Sequence, residues 1–94
     1  MEILKGLTNL RVNEKDQIKF ECTLNKQPKS VQWLKDGEPL SEDDPRIKFV
    51  NDGTKQFLII DNAQLSDIGN YSIKVDDADS AATLKVKGNY FIKY

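Results

Sequence analysis

The chain has 94 residues, of which 38% are hydrophobic and 31% are charged, and 14 basic against 15 acidic residues give a net charge of −1. A chain of this length forms one domain, which excludes a two-lobed enzyme and a nucleotide-binding fold built from several βαβ units. Histidine is absent and cysteine occurs once, so the usual general base, an internal disulfide and a cysteine-based zinc site are excluded. The sequence therefore offers no catalytic, cofactor or metal site.

Hydrophobic residues recur with period two, in short segments separated by turn residues. The clearest segment is residues 17–24, in which every second residue from Ile18 to Leu24 is apolar. Turns are predicted at Asp36-Gly37 and Asn51-Asp52-Gly53, and residues 61–69 have room for one helical turn. Short strands with frequent turn signals predict an all-β sandwich or a small barrel. The predicted strands are residues 7–12, 17–24, 30–35, 46–50, 55–60, 70–75 and 80–86.

Three sequence features occur in a fixed order: Cys22 in mid-strand, Trp33 eleven residues later, and an Asp-x-Gly-x-Tyr segment that ends at Tyr71. This order resembles the immunoglobulin fold, with its strand B cysteine, strand C tryptophan and tyrosine corner. The resemblance implies an antiparallel sandwich of about seven to nine strands over residues 1–88, with 89–94 as a linker or C-terminal extension. It also implies that residues 7–12 run parallel to residues 80–86. The expected core contains Cys22, Trp33, Leu58, Ile60, Tyr71, Ile73 and Leu84.

The tyrosine corner consists of Asp67, Gly69 and Tyr71. Tyr71 is expected to bury its ring and to direct its hydroxyl to a backbone group. Gly69 is expected to let the chain turn without a Cβ clash, and the Asp67 carboxylate to cap the turn. Trp33 is expected to fill the space between two sheets about 10 Å apart.

The subtype is indicated by residues 31–40, 52–55 and 58–65, which look like the intermediate set of immunoglobulin domains. The similarity is to the muscle proteins titin, twitchin, obscurin and myosin-binding protein C, and residues 7–15 and 80–87 are most like titin I-band domains. The resemblance implies a non-enzymatic structural module that bears load in a tandem array. Its expected partners are neighbouring immunoglobulin domains and other sarcomeric proteins, with no nucleic acid, membrane or small-molecule substrate.

The absence of a second cysteine indicates the cellular compartment of the protein. In extracellular relatives the second cysteine lies two residues after the corner tyrosine, where this chain has Ile73. A bridge that closes a loop of ~50 residues stabilises by about 4 kcal/mol in the chain-entropy model, and reducing compartments do not support one. We therefore expect a cytoplasmic, sarcomeric location. Two alternatives stay open: an extracellular adhesion or receptor domain that has lost its disulfide, and a module that regulates an adjacent muscle kinase.

Apolar residues outside the predicted core are the candidate partner surface, because outward apolar side chains can mark contacts. Leu34, Phe57 and Ile59 lie opposite the core faces of their strands, and Tyr90 and Phe91 lie in the aromatic C-terminal segment. The carboxylates of residues 42–44 and 76–79 lack an ordered metal-ligand spacing and are interpreted as solvated loops.

Overall fold

The computed structural model describes residues 1–88, which form two packed sheets. The four-stranded sheet has the order β1-β3-β7-β6, and the five-stranded sheet has the order β2-β9-β8-β4-β5. The predicted immunoglobulin-like sandwich without a disulfide is thereby confirmed. The strands are β1 (Ile3–Lys5), β2 (Leu10–Asn13), β3 (Ile18–Leu24), β4 (Val31–Lys35), β5 (Glu38–Pro39), β6 (Ile47–Asp52), β7 (Lys55–Ile60), β8 (Gly69–Val75) and β9 (Ala78–Lys87), with a 3₁₀ helix at Leu65–Asp67.

Alternation of apolar and polar residues builds the core. In β3 the side chains of Ile18, Phe20, Cys22 and Leu24 are buried, whereas Lys19 and Glu21 are exposed. The rings of Phe20 and Tyr71 pack with their centroids 5.1 Å apart. The residues expected in the core are each at most 2% exposed: Cys22, Trp33, Leu58, Ile60, Tyr71, Ile73 and Leu84.

The N-terminal segment divides between the two sheets, which the sequence did not indicate. β1 pairs with β3, whereas β2 pairs with β9 in the opposite sheet. The chain crosses beside Ser80, whose Oγ accepts a hydrogen bond from the Leu7 N–H at 2.9 Å. A Cβ on Gly6 would lie 2.6 Å from the same Oγ, so this crossing requires glycine.

The β2–β9 pair is parallel, as the resemblance implies. Leu10 lies opposite Leu84 and Val12 opposite Val86, and these side chains pack in or against the core. The alternate residues Arg11, Asn13, Lys85 and Lys87 are exposed on the outer face.

Two hairpin turns follow their local sequence. Asp36 and Gly37 have φ values of 51° and 82°, the pair of positive values that a type I′ turn requires. The predicted turn at Asn51-Asp52-Gly53 is shifted, because Asn51 and Asp52 belong to β6 and the turn is Gly53-Thr54. The buried Gln56 amide holds this turn by donating to Asn51 Oδ1 at 2.9 Å and to the Gly53 carbonyl at 3.2 Å.

Candidate functional site

The corner before β8 is organised by Tyr71 and Asp67. The Tyr71 ring is 1% exposed, and its hydroxyl donates to the Asp67 carbonyl at 2.5 Å. Burial, together with the nearby Asp67 carboxylate, raises the pKa of the Tyr71 hydroxyl well above its ordinary value. The hydroxyl therefore stays protonated and serves as a fixed hydrogen-bond donor.

The Asp67 carboxylate caps the corner and also binds an arginine. Its Oδ2 accepts the Gln64 N–H at 2.8 Å, and Arg46 donates from Nη1 to Oδ2 at 2.9 Å and from Nη2 to Oδ1 at 3.1 Å. Burial alone would raise the pKa of Asp67. The hydrogen bonds from Arg46 and Gln64 outweigh this effect, so the pKa of Asp67 lies below its ordinary value. A bidentate pair of this kind fixes both geometry and charge.

Arg46 was missed at the sequence level. It follows an acidic loop and precedes β6, and its guanidinium also donates to the Asn62 carbonyl at 3.2 Å. The hydrogen bond with Asp67 raises the pKa of Arg46. The signal available in the sequence was one cation directly after Glu42-Asp43-Asp44-Pro45, but nothing local links it to Asp67, 21 residues later.

Gly69 avoids a Cβ clash, as expected, but the atoms that a Cβ would meet belong to Asp36. The φ of Gly69 is not positive, since Gly37 and Gly53 are the glycines with positive φ in residues 1–88. A Cβ at Gly69 would instead lie 2.8 and 2.9 Å from the two carboxylate oxygens of Asp36. Asp36 Oδ1 accepts the Asn70 N–H at 2.9 Å, so the carboxylate is held against the Gly69 backbone. The close approach of Asp36, and not the turn, excludes a side chain here.

Replacing Gly69 by alanine is expected to destabilise the domain by about 1–3 kcal/mol, because the new Cβ overlaps the Asp36 carboxylate. In an Asp36→Gly background the same replacement should cost much less, since the overlapping atoms are gone and glycine suits the positive φ at position 36. Urea unfolding of both single variants and the double variant measures the coupling. Additive losses would contradict the overlap.

Leu34 corrects one expectation for the partner surface. It is 7% exposed, so it does not belong to an exposed apolar surface. In register it lies between Ser72 of β8 and Pro39 of β5, with a strand on each side. β5 was not predicted, and without it Leu34 would have been on an edge strand.

The outer face of the four-stranded sheet holds the other two outward residues. Phe57 and Ile59 of β7 are half-buried, and Val50 lies opposite Phe57 in β6. The Lys19 ammonium lies 4.7 Å from the centroid of the Phe57 ring, a cation–π contact. We call Val50, Phe57 and Ile59 the β7 strip. Tyr90, Phe91 and the extension 89–94 lie outside the described residues.

The acidic loops serve the fold. Asp76 Oδ1 accepts the N–H groups of Lys29 and Ser30 at 3.0 and 2.9 Å, and Glu42 Oε2 accepts the Phe49 N–H at 2.9 Å. Within residues 1–88 no cluster of three or more His, Cys, Asp or Glu side chains is placed to hold a metal ion. The same residues contain no helix that is long and apolar enough to cross a membrane.

Comparison with known families decides the identity of this sandwich, because residues 1–87 match the family model for the immunoglobulin I-set domain. The chain belongs to the immunoglobulin I-set family. The predicted intermediate-set assignment is thus confirmed, and I-set domains of this kind are non-enzymatic modules.

Relatives of this I-set domain include muscle proteins. It is 36% identical over 86 residues to fast-type myosin-binding protein C of Gallus gallus, and 39% identical over 84 residues to the muscle M-line assembly protein unc-89 of Caenorhabditis elegans. These alignments cover 90% and 87% of this chain but 8% and 1% of the two relatives. The chain therefore spans a small part of the length of either protein.

Solved structures of titin domains share the fold. Titin domain I10 has 29% sequence identity and a TM-score of 0.85, with 90% of this chain and 96% of that chain covered. A complex of titin M10 with an obscurin-like 1 immunoglobulin domain matches with 25% identity and a TM-score of 0.85, and 95% of each chain is covered.

Proposed function

We propose that this I-set domain is a structural and protein-interaction module of a cytoplasmic muscle filament protein, in which it bears mechanical load within a tandem array. Its similarity to myosin-binding protein C, unc-89 and titin domains supports this role over that of an extracellular adhesion domain. The buried Cys22 agrees with it, because burial raises the pKa of the thiol and the free cysteine behaves as a small apolar residue. The observation that carries the mechanical part is the parallel β2–β9 pair.

The geometry of this pair supports loading in shear. The Met1 amino group lies 3.4 Å from Asp77, just before β9 begins, and β9 then runs through ten residues to Lys87. A strand of that length spans roughly 30 Å, so the two ends of the described chain lie at opposite ends of the sandwich. Because β2 and β9 are parallel, a pull on both ends slides them past each other and strains their hydrogen bonds together.

The backbone of Lys85 lies within the loaded ladder. The Thr83 N–H donates to Asn9 Oδ1 at 2.9 Å, and the Lys87 carbonyl accepts the Glu14 N–H at 2.9 Å, so both residues direct their backbone groups toward the β2 side. Alternate residues of a strand point the same way. The N–H and carbonyl of Lys85 therefore also face β2.

A Lys85→Pro variant is expected to unfold at a lower force than the wild-type domain, because proline removes a donor from the loaded ladder. The measurement is single-molecule stretching of the domain between marker domains. Glu38→Pro is the matched control, since Glu38 lies opposite Lys35 across the β4–β5 turn and proline there removes a donor away from the load path. Chemical unfolding checks that both variants fold. Equal losses of force, or no loss for Lys85→Pro, would contradict the mechanical role.

The β7 strip is the contact surface we propose for the interaction part of this role. It combines half-buried apolar side chains with the lysines that border them, Lys19 and Lys48, which lie on either side of Ile59 in register. Apolar surface with a polar rim is typical of protein–protein contacts. The pairing of two immunoglobulin domains in the titin M10 complex supports partners of the same kind.

A further inference from the structure

A groove runs along the outer face of the β2–β9 pair. Its two adjoining halves enclose about 380 and 250 Å³, and Arg11 and Lys85 line both of them. Lys87 and Asp16 line the larger half. We call this feature the β2–β9 groove; it lies on the opposite sheet from the β7 strip.

Three cationic side chains line this groove: Arg11, Lys85 and Lys87. Arg11 is directly opposite Lys85 in register, and Asn13 is directly opposite Lys87, so the three charged residues occupy neighbouring positions on one face. Strands in a sheet lie about 4.8 Å apart, and residues i and i+2 about 6.6 Å apart. Among residues 1–88, none of these three cations has a carboxylate within 4.0 Å. Like charges directly opposite each other weaken a strand pair, so the arrangement does not serve the fold.

The carboxylate in the groove does not neutralise these cations by contact. Asp16 Oδ2 accepts the Asn13 N–H at 3.0 Å and so belongs to the turn after β2. It places a negative charge at one end of the groove, which limits how far an anionic ligand can extend. The positive part of the groove is therefore short, about the 13 Å spanned by the four residues of β2.

The edge of β2 indicates the shape of the ligand. Among residues 1–88, β2 is the terminal strand of its sheet, and the Glu14 N–H points to β9. Alternation then directs the N–H and carbonyl of Arg11 away from β9, toward the open side of the strand. An extended peptide can pair with such an edge while its side chains reach the cations.

We propose that the β2–β9 groove binds an extended acidic segment of a partner protein, whose carboxylates pair with Arg11, Lys85 and Lys87. A nucleic acid fits less well, because the chain has a net charge of −1 and the positive surface is short. The inference rests on the proposed interaction role but not on load bearing. The stretching experiment and the binding experiment below can therefore fail independently.

The probe is a fluorescein-labelled octapeptide of alternating glutamate and threonine, and the same peptide with glutamine for glutamate is its control. The triple variant Arg11→Gln/Lys85→Gln/Lys87→Gln should bind about tenfold more weakly by fluorescence anisotropy, because three exposed charge pairs are lost. The matched control is Lys26→Gln/Lys29→Gln/Lys55→Gln, which removes the same charge from exposed positions outside the β2–β9 groove and outside the β7 strip and should change affinity less than twofold. Binding should weaken as salt is raised.

Amide chemical shifts of the wild-type domain, titrated with the glutamate peptide, supply a measurement that needs no variant; they should move in β2 and β9. The single variant Lys87→Gln, at an exposed position, is used if the triple variant does not fold. The proposal is overturned if both triple variants weaken binding equally, if the glutamine peptide binds as tightly, or if shifts move elsewhere. It is equally overturned if no binding is seen at millimolar peptide, or if a single-stranded oligonucleotide displaces the peptide at lower concentration.

Discussion

Replacing Trp33 by alanine should lower the free energy of unfolding by about 3–5 kcal/mol, the usual cost of truncating a large buried aromatic. Trp33 is 2% exposed, lies opposite Ile73 in β8, and belongs to the core between the two sheets. Its removal leaves a cavity that can close only if the two packed sheets shift toward each other. A domain of this size has a total stability of about 5–13 kcal/mol, so the variant should be partly unfolded near body temperature.

Urea unfolding followed by circular dichroism measures this loss, because Trp33 is the only tryptophan and its fluorescence disappears with it. Val31→Ala is the control on the same strand. Val31 is 36% exposed, and the loss of its methyl groups should cost less than about 1 kcal/mol. A loss below 1 kcal/mol for Trp33→Ala would mean that the space between the sheets does not depend on the indole.

The second large effect is expected for Arg46→Met, which should cost about 2–3 kcal/mol. The Asp67 side chain is 10% exposed, and without Arg46 its carboxylate keeps the Gln64 N–H but loses its counter-charge. Breaking a buried pair costs about 3–5 kcal/mol, and the 21% exposure of the Arg46 side chain places this pair below that range. Arg46→Met/Asp67→Asn should lose less than the sum of the two single variants, because it removes the unpaired charge. Additive losses in urea would show that the pair is not coupled.

The pH dependence of the free energy of unfolding shows whether Arg46→Met destabilises the domain through the lost ion pair or through lost packing. The pKa of Asp67 is lowered by folding, so its contribution is present above the unfolded pKa of about 3.9 and is lost as pH falls through the lower folded value. In Arg46→Met, burial of the carboxylate acts without the arginine, and the folded pKa rises. The stability difference between wild type and variant should therefore shrink between pH 7 and pH 3. A constant difference would contradict the ion-pair explanation.

Local signals in the sequence were sufficient for much of the fold. The alternation in β3 fixes which side chains face the core, and Asp36-Gly37 fixes a turn through its own backbone preferences. β1 and β5 were missed because they have three and two residues, too few for a periodic pattern. β1 is recognisable as a strand through its pairing of Ile3 with Leu24, which lies far along the chain.

In the tyrosine corner, too, local contacts could be predicted from the sequence, whereas contacts from distant residues could not. Tyr71 and Asp67 are four residues apart and form a recognisable motif, so their contact could be predicted. The guanidinium of Arg46 and the carboxylate of Asp36 reach the corner from other strands or loops, and the sequence contains no local trace of either contact. The cations of the β2–β9 groove likewise come from both ends of the chain, and their proximity depends on the parallel register.

The isoleucine at position 73 determines how far the chain can lengthen once it is pulled apart. Cys22 is a free thiol, so no disulfide cross-links the two sheets in residues 1–88. The roughly 80 residues from β2 to the end of β9 can then extend to about 270 Å, against about 30 Å when folded. A bridge between positions 22 and 73 would withhold roughly 50 residues, or about 170 Å, from that extension. The apolar residue at position 73 thus leaves nearly the whole contour of the domain free to extend once the domain unfolds.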